Sequence, residues 1–290
     1  MFERMKSGWR LAKMVRKSVS RDRSLYLFPI LTGILGVVIF AVTFLLLFIE
    51  IPVSSASSNF YFYIIGLFAA YVAVYFVTTL ILLGMLICYR SFNAGSPKSF
   101  RESLGMAWSY KAKAFEWAVF YSVLLMILRA IESRFRGIGG LIVGAIGSFA
   151  ITVATFFAIP AILDYNVGPI KAVEQSVSTI RKNFGTTFGG IIYIDLYTTI
   201  FTLGGFLLLI AAIFLIGSVL PLILLLAIFA ISIILIILGL ILNFTYMNVF
   251  KMILFDYLNG KGLPEGFDEA TIRASFKRSR SSGFGSTGIQ

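Results

Sequence analysis

The sequence predicts an all-α protein, a polytopic membrane helical bundle with six transmembrane helices and amphipathic interfacial helices on the cytoplasmic side. Three observations support this fold class. Of the 290 residues, 59% are hydrophobic and only 13% are charged, about half the charge of a soluble domain. The apolar residues form runs long enough to span a bilayer, and the Lys and Arg residues cluster between alternate pairs of runs. We therefore expect lipid to be the solvent for most side chains.

The apolar runs set the number of spans, since a crossing helix needs about 20 residues to pass a core of ~30 Å. The first four runs cover residues 25–49, 61–88, 114–131 and 138–163. The final run would be roughly 90 Å long as a single helix, so it must fold back. The breakers Gly217, Ser218 and Pro221 divide it into spans 188–216 and 221–249.

Each span is expected to be helical, because a lipid-facing backbone must satisfy its own hydrogen bonds and the runs lack the alternation of barrel strands. Glycines between residues 137 and 147 should allow close helix approach in lipid, and Gly140 and Gly144 form a GxxxG pair. We expect these glycines to pack within the monomer. Pro160 should kink span 4 shortly before its end.

The distribution of basic residues predicts the orientation. Of the 25 Lys and Arg residues, 22 lie in the two terminal segments and in the 2–3 and 4–5 connections, whereas Arg129, Arg134 and Arg136 lie in the 3–4 connection. By the positive-inside rule, both termini are expected in the cytoplasm and the chain in the cell membrane. The basic N-terminal region precedes a 25-residue apolar run with no small-x-small site, which predicts a retained anchor and not a cleaved signal.

These features divide the chain into three parts. Residues 1–24 are predicted to form a basic amphipathic N-terminal helix, residues 25–250 a six-span membrane domain, and residues 251–290 a cytoplasmic tail. The end of the tail is rich in Ser and Gly and carries several cations, so we expect the last dozen residues to be disordered.

A basic amphipathic segment lies between spans 4 and 5. Its apolar residues recur at steps of three and four, which is the spacing of one helix face: Ile170, Val173, Val177, Ile180 and Phe184. Pro169 suits the first helical position, where a missing N–H costs nothing. We expect this helix to lie in the cytoplasmic interface with its apolar face in lipid and its cations in water.

Two other segments have the same character. The N-terminal segment has an apolar stripe of Phe2, Met5, Trp9, Ala12, Val15 and Val19. The segment opened by Ser96 and Pro97 has a stripe of Phe100, Leu104, Trp108 and Phe115. Each segment precedes a pair of spans, so the chain has a loose threefold plan of basic helix and membrane hairpin. All copies point the same way, unlike the inverted repeats of transporters.

The cations of these helices are candidate lipid contacts, because each adds roughly 1 kcal/mol of attraction near an anionic surface. The candidates are Lys13, Lys17, Lys111, Lys113, Lys171, Arg181 and Lys182. Two alternatives remain open: the helices only cushion the bundle and tie down its loops, or they have a specific lipid-binding or curvature role. We expect membrane lipids as partners, anionic headgroups among the candidates, and an unknown protein partner is compatible with the sequence.

Several function classes are excluded by composition. The chain has one cysteine, Cys88, and no histidine, which rules out Cys/His zinc sites and Ser-His or Cys-His nucleophile pairs. No paired carboxylates, phosphate-binding Gly loop or metal cluster is recognisable, so we expect neither an enzyme nor a cofactor. The net charge of +12 follows from the positive-inside bias, and no base-reading module is visible, so nucleic acid is not an expected partner.

Asp195 is the clearest candidate for a functional side chain, because a charge inside lipid needs a reason. It lies about two turns into span 5, and Tyr193, Tyr197 and Thr198 are close enough in sequence to hydrogen-bond it. One hypothesis is a proton or cation site. The other is an acid that faces the bundle interior and is satisfied by Tyr, Thr or a basic residue.

Two further acids are expected to be structural. Glu116 begins span 3, where Lys113 or a basic residue of another connection can pair with it. Arg129 and Glu132 are three residues apart on the last turn of that span, which places them for an ion pair at the membrane surface.

One pattern in the chain resembles a known family. It consists of Pro160, Gly168-Pro169, Ala172, Ser176 and Phe184-Gly185. The opening "MFERMKSGWRLAKMVRKSVSRDRSLYLFPIL" and the stretch "FEWAVFYSVLLMILRAIESR" add to it. Together they resemble a family of uncharacterised prokaryotic multi-pass membrane proteins, which is similar to the membrane domain of glycerophosphodiester phosphodiesterases. Since the catalytic domain of those enzymes is absent here, the resemblance implies a fold and a membrane location only.

The sequence thus leaves two main function hypotheses. The first is a structural or accessory membrane protein that organises lipid or a partner complex. The alternative is a small transporter or channel that uses the intramembrane Asp195, which would require a water-accessible cavity around that residue. An intramembrane enzyme is the weakest hypothesis, because no nucleophile or base pair is recognisable.

Overall fold

The computed structural model describes residues 2–49, 60–135, 137–216, 221–264 and 267. In this part of the chain all regular structure is helical, which confirms the all-α prediction. The α-helices are α1 (Phe2–Val19), α2 (Leu27–Ile49), α3 (Phe60–Asn93), α4 (Phe100–Ala107), α5 (Lys111–Glu132), α6 (Ile138–Ala154), α7 (Ala158–Tyr165), α8 (Pro169–Phe214) and α9 (Leu222–Leu258). Short 3₁₀ turns at Arg23–Tyr26 and Trp108–Tyr110 precede α2 and α5.

Six helical segments of the described chain are long and apolar enough to cross a membrane, as predicted. They are Arg23–Leu46, Ile64–Asn93, Phe100–Glu132, Ile138–Tyr165, Thr187–Phe214 and Leu222–Leu258. The long final run is divided as expected, since α8 ends at Phe214 and α9 begins at Leu222, directly after Pro221. Gly217 and Ser218, and the predicted disordered end of the tail, lie outside the described residues.

The chain forms two compact units. The first unit contains residues 1–26 and 183–290, and in it α1 packs on α9. Leu11, Ala12, Val15 and Val19 of α1 are fully buried. The apolar stripe of α1 was predicted to face lipid, but its C-terminal members Ala12, Val15 and Val19 are covered by protein, whereas Trp9 is 39% exposed.

The second unit contains residues 27–182, and α3 is its central helix. It packs on α2, α4, α5 and α7. The half of α3 that leads to its C-terminal end is buried, including Leu83, Met85 and Leu86. Gly84 allows α4 to approach at this level, since a Cβ there would lie 3.0 Å from the Leu104 side chain.

α4 begins with a capping box, in which Ser99 and Glu102 satisfy each other's backbone N–H groups. Its predicted apolar stripe is divided. Leu104 packs on α3 near Gly84, whereas Trp108 and Phe115 are more than half exposed. The two exposed rings meet the Phe76 ring edge-on, at centroid distances of 6.4 and 6.0 Å.

α8 differs from the prediction in two ways. The basic amphipathic segment and span 5 were expected to be separate elements, but a single helix runs from Pro169 to Phe214. Its buried face in the second unit also differs in part from the apolar stripe: Ala172 and Ser176 are fully buried and the stripe residue Ile180 is buried, while Ile170 is 74% exposed. Small side chains allow a closer helix approach than Ile and Val do, so they define the contact face.

Span 4 is interrupted near Pro160, as predicted, and forms α6 and α7. Pro160 has no N–H to donate to the Phe156 carbonyl and its ring crowds that group, so the helix breaks into a turn over residues 155–157. The break frees the N–H of Phe157, which donates a 2.9 Å hydrogen bond to Ser176 Oγ on α8. Both groups are buried, so this bond satisfies a backbone N–H that would otherwise have no acceptor.

The glycines of α6 form the seam with α5, which confirms their predicted packing within the monomer. A Cβ at Gly140 would lie 2.8 Å from the Phe135 carbonyl oxygen, and one at Gly144 would collide with the Glu132 carboxylate. A Cβ at Gly147 would collide with Leu128. The GxxxG pair therefore allows α5 and α6 of the same chain to pack closely against each other.

Both predicted ion pairs are present. Lys113 Nζ lies 2.9 Å from Glu116 Oε1, and Arg129 Nη1 lies 2.7 Å from Glu132 Oε2. A third pair was not predicted: Arg90 at the end of α3 donates to Asp164 at the end of α7. The Asp164 side chain is only 3% exposed, so this pair ties two helix ends together inside the second unit.

Candidate functional site

The candidate site lies on the antiparallel pair formed by α8 and α9 in the first unit. Glycines let the two helices approach closely at several levels. A Cβ at Gly205 would lie 2.8 Å from the Ser232 carbonyl oxygen, and one at Gly239 would lie 2.8 Å from the Thr202 backbone nitrogen. At Gly190 of α8, toward the opposite end of the helix pair, a Cβ would collide with the Phe250 ring of α9. This close seam sets the side chains between these levels opposite one another.

Asp195 is held by a residue of the facing helix. Asn243 Nδ2 donates a 2.9 Å hydrogen bond to Asp195 Oδ1 and a second, also 2.9 Å, to Thr198 Oγ1. The Thr198 hydroxyl in turn donates to the Ile194 carbonyl of its own helix at 2.9 Å. Thr198 is fully buried, whereas the Asp195 side chain remains exposed at the edge of the seam. The cluster is therefore a polar bridge between two apolar helices.

The nearest basic residue along α9 is Lys251, which lies two turns beyond Asn243. Asp195 lies about 12 Å along α8 from Thr187, where the span begins. An acid at this depth is favoured by an amide donor and a cation on the neighbouring helix, because each offsets part of the lost hydration.

Tyr193 and Tyr197 were candidates to hydrogen-bond Asp195, and among the described residues their rings form an aromatic group beside it. The two rings stack at a centroid distance of 6.4 Å, and Tyr193 also meets Trp9 of α1 edge-on at 4.8 Å. The reason is geometric: residues two apart on a helix point in different directions, so the Tyr193 and Tyr197 rings are directed away from the Asp195 carboxylate.

α1 also brings a cation to this group. The Arg16 guanidinium carbon lies 4.6 Å from the centre of the Tyr197 ring, which is a cation–π contact. Tyr246 of α9 lies on the other side of Tyr197, at a ring distance of 6.2 Å, and its hydroxyl is 3.3 Å from that of Tyr26. The basic N-terminal helix thus contacts the α8–α9 pair through aromatic and cationic groups as well as through the buried part of its apolar stripe.

Sequence reasoning missed the roles of Asn243, Tyr246 and Arg16. A signal for the first was present, since Asp195 and Asn243 lie at nearly equal distances from the predicted turn at Gly217 and Pro221. Antiparallel helices joined by a short turn place such residues at the same level. For Arg16 no comparable signal exists, because nothing in the sequence specifies which helix receives α1.

The candidate lipid contacts are distributed over both units. Lys13 and Lys17 lie on the exposed face of α1, and Lys171 and Arg181 are exposed on α8. Lys111 lies with its ammonium 5.5 Å from the Trp108 ring centre, and Lys113 is paired with Glu116. The side chain of Lys182 lies outside the described residues. The exposed members keep their charged ends available to a membrane surface.

Comparison with known proteins places the chain in a family. The model of a family of unknown function, DUF6159, matches residues 53–263, which is most of the chain. No curated protein and no solved structure showed a match. These comparisons gave no support to the similarity with glycerophosphodiester phosphodiesterases. The chain, with six helices long and apolar enough to cross a membrane, therefore belongs to the DUF6159 family.

Proposed function

We propose that this protein is a structural or accessory component of the cell membrane, with both termini in the cytoplasm, that organises lipid or a partner complex. The observation that carries the proposal is the engagement of Asp195. Its carboxylate accepts from Asn243, which also bonds Thr198 in the seam between α8 and α9. An acid used in this way stabilises helix packing, as interhelical hydrogen bonds in membranes do.

The cationic surfaces support the same role. In α1 the side chains of Ala12, Val15 and Val19 are covered by protein, while Arg10, Lys13 and Lys17 are exposed. A helix held in this way presents its charges in a fixed arrangement, and each adds roughly 1 kcal/mol of attraction to an anionic leaflet. Such a surface is suited to recruit anionic lipid or an acidic segment of another protein.

The proposal is tested by isolating the full chain in native lipid and identifying what accompanies it by protein and lipid mass spectrometry. We expect a stoichiometric protein partner or an enrichment of anionic lipid over the surrounding membrane. A matched pair of variants locates the enrichment: Lys13→Gln with Lys17→Gln should reduce it, whereas Lys261→Gln, on the tail, should not. A chain that carries neither a partner nor enriched lipid contradicts the accessory role.

The orientation is tested separately. A reporter fused after Gln290 should be found on the cytoplasmic side, because 22 of the 25 cations lie on the side of the termini. A second reporter in the 3–4 connection, next to Arg134, should be found outside. A C-terminal reporter outside the cell would contradict the proposed topology.

A small transporter or channel that uses Asp195 is the alternative, and one observation favours it: the Asp195 side chain is exposed although it lies within a span. The two functions differ in their response to Asp195→Asn, which retains an acceptor oxygen for Asn243 but removes the charge. In proteoliposomes, the accessory function predicts no proton or cation flux in either form. A flux that is present in the wild type and lost in the variant would establish the transporter instead.

A further inference from the structure

A groove opens between α2 and α3 in the second unit, at membrane depth. It has a volume of about 430 Å³ and is lined by apolar and aromatic side chains that include Phe40, Phe44, Leu67, Ala70, Tyr71 and Tyr75. Its volume falls within the usual range of small-molecule sites. The mouth is open along α2, where the Phe40 side chain is 71% exposed. Since both helices lie in membrane-crossing segments, the surroundings of this groove are lipid.

An arginine on the neighbouring helix α5 lies at the level of one end of the groove. α3 and α5 run antiparallel, with the Tyr75 and Tyr121 rings 4.8 Å apart. On α5, Arg129 lies about 12 Å beyond Tyr121, and on α3, Leu67 lies about 12 Å before Tyr75. Because the helices are antiparallel, Arg129 and Leu67 lie at the same level.

The Arg129 guanidinium is both positioned and available. Nη1 donates to Glu132, whose carboxylate is wedged against α6 at Gly144, so this bond orients the guanidinium from a rigid support. The Arg129 side chain is nevertheless 74% exposed. A guanidinium has five N–H donors, so the remaining ones can meet a phosphate, for which the planar fork is well suited.

We infer that this groove is a phospholipid-binding site, in which Arg129 holds the phosphate and an acyl chain lies between α2 and α3 against Phe40 and Ala70. The end of the groove beside Arg129 lies toward the end of the span, where a lipid phosphate is found. Tyr71 lies one helical turn deeper than Leu67 on α3 and lines the groove below this level. This inference rests on the membrane location and is independent of the proposed role of α1.

The site is tested by native mass spectrometry of the full-length protein, titrated in detergent with phosphatidylglycerol. We expect one tightly retained lipid per chain. Arg129→Gln should weaken this binding about fivefold, the effect of one cation near an anionic group. The matched control is Arg134→Gln, an exposed arginine outside the groove, which should leave the affinity within twofold. Equal losses in the two variants would overturn the assignment of the phosphate to Arg129.

The acyl-chain half of the site has its own test. Ala70→Phe fills the groove and should abolish the retained lipid while the helical circular dichroism spectrum is unchanged. Two other ligands test the same point on the wild-type protein. Diacylglycerol, which has the acyl chains but no phosphate, should bind at least fivefold more weakly than phosphatidylglycerol. Inorganic phosphate alone should not compete with phosphatidylglycerol for the site. Diacylglycerol that binds as tightly as phosphatidylglycerol, or a folded Ala70→Phe protein that retains its lipid, would overturn the inference.

Discussion

Asn243 Nδ2 lies 2.9 Å from Asp195 Oδ1, and this bond joins the last two membrane helices within their spans. The same nitrogen is 2.9 Å from Thr198 Oγ1, so both amide hydrogens of Asn243 are used. The glycines on either side of this level allow the helices to come close enough for such short side chains to meet. The bond and the close approach therefore depend on each other.

A double-mutant cycle on Asp195→Ala and Asn243→Ala should reveal their coupling. We expect an interaction free energy of about 0.6 to 2 kcal/mol in the free energy of unfolding, the range of interhelical hydrogen bonds in membranes. Unfolding by SDS titration in mixed micelles measures it. Asn248 provides the control, because its amide donates to the Phe244 carbonyl of its own helix. A coupling of Asp195 to Asn248 as large as that to Asn243 would contradict the bridge.

Two adjacent glycines of α8 should respond in opposite ways to the same substitution. Gly205→Ala places a methyl group against the backbone of α9, 2.8 Å from the Ser232 carbonyl oxygen, and should destabilise the protein by about 1 to 3 kcal/mol. Gly204→Ala meets no atom within 4 Å and should be neutral, or stabilising by up to about 1 kcal/mol, because Ala favours the helix. Thermal unfolding in detergent compares them, and equal effects would show that the seam is not closely packed at this level.

Ser176→Ala should destabilise the second unit by about 1 to 3 kcal/mol, because it leaves the buried N–H of Phe157 without its acceptor. Ser178→Ala is the matched control. Its hydroxyl is exposed and donates to the Gln175 carbonyl of the same helix, so its loss should cost less than about 0.5 kcal/mol. Unfolding midpoints of the two variants and of the wild type are compared under identical conditions. A Ser176→Ala protein as stable as Ser178→Ala would refute a capping role for this hydroxyl.

The ion pairs of the second unit should differ in their contribution to stability. Asp164 is almost fully buried, so Asp164→Ala leaves the Arg90 cation partly desolvated and should cost at least about 2 kcal/mol. Lys113→Ala removes an exposed partner of Glu116 and should cost no more than about 1 kcal/mol. Raising the ionic strength should weaken the second pair more than the first, because solvent ions screen exposed charges. Comparable losses for both variants at low and high salt would contradict this difference.

The sequence by itself determined the helical class and the number of spans. Apolar run length is sufficient for this, because a lipid-exposed backbone has few ways to satisfy its hydrogen bonds. It also determined the local pairs: Lys113 with Glu116 and Arg129 with Glu132 are neighbours on a helix by spacing alone. The interruption of span 4 at Pro160 belongs to the same group, since the missing N–H is a property of that residue.

Only the tertiary structure decided the partners that lie far apart in the chain. Asp195 meets Asn243 and not Tyr193, Arg90 meets Asp164, and Ser176 meets Phe157, because helix packing sets which faces oppose each other. It also decided that the C-terminal part of the α1 stripe, Ala12 to Val19, is covered by protein and that Ala172 and Ser176 belong to a contact face of α8. Hydrophobic periodicity identifies an apolar face, but lipid and protein are equally good solvents for it, so its burial depends on shape complementarity between helices.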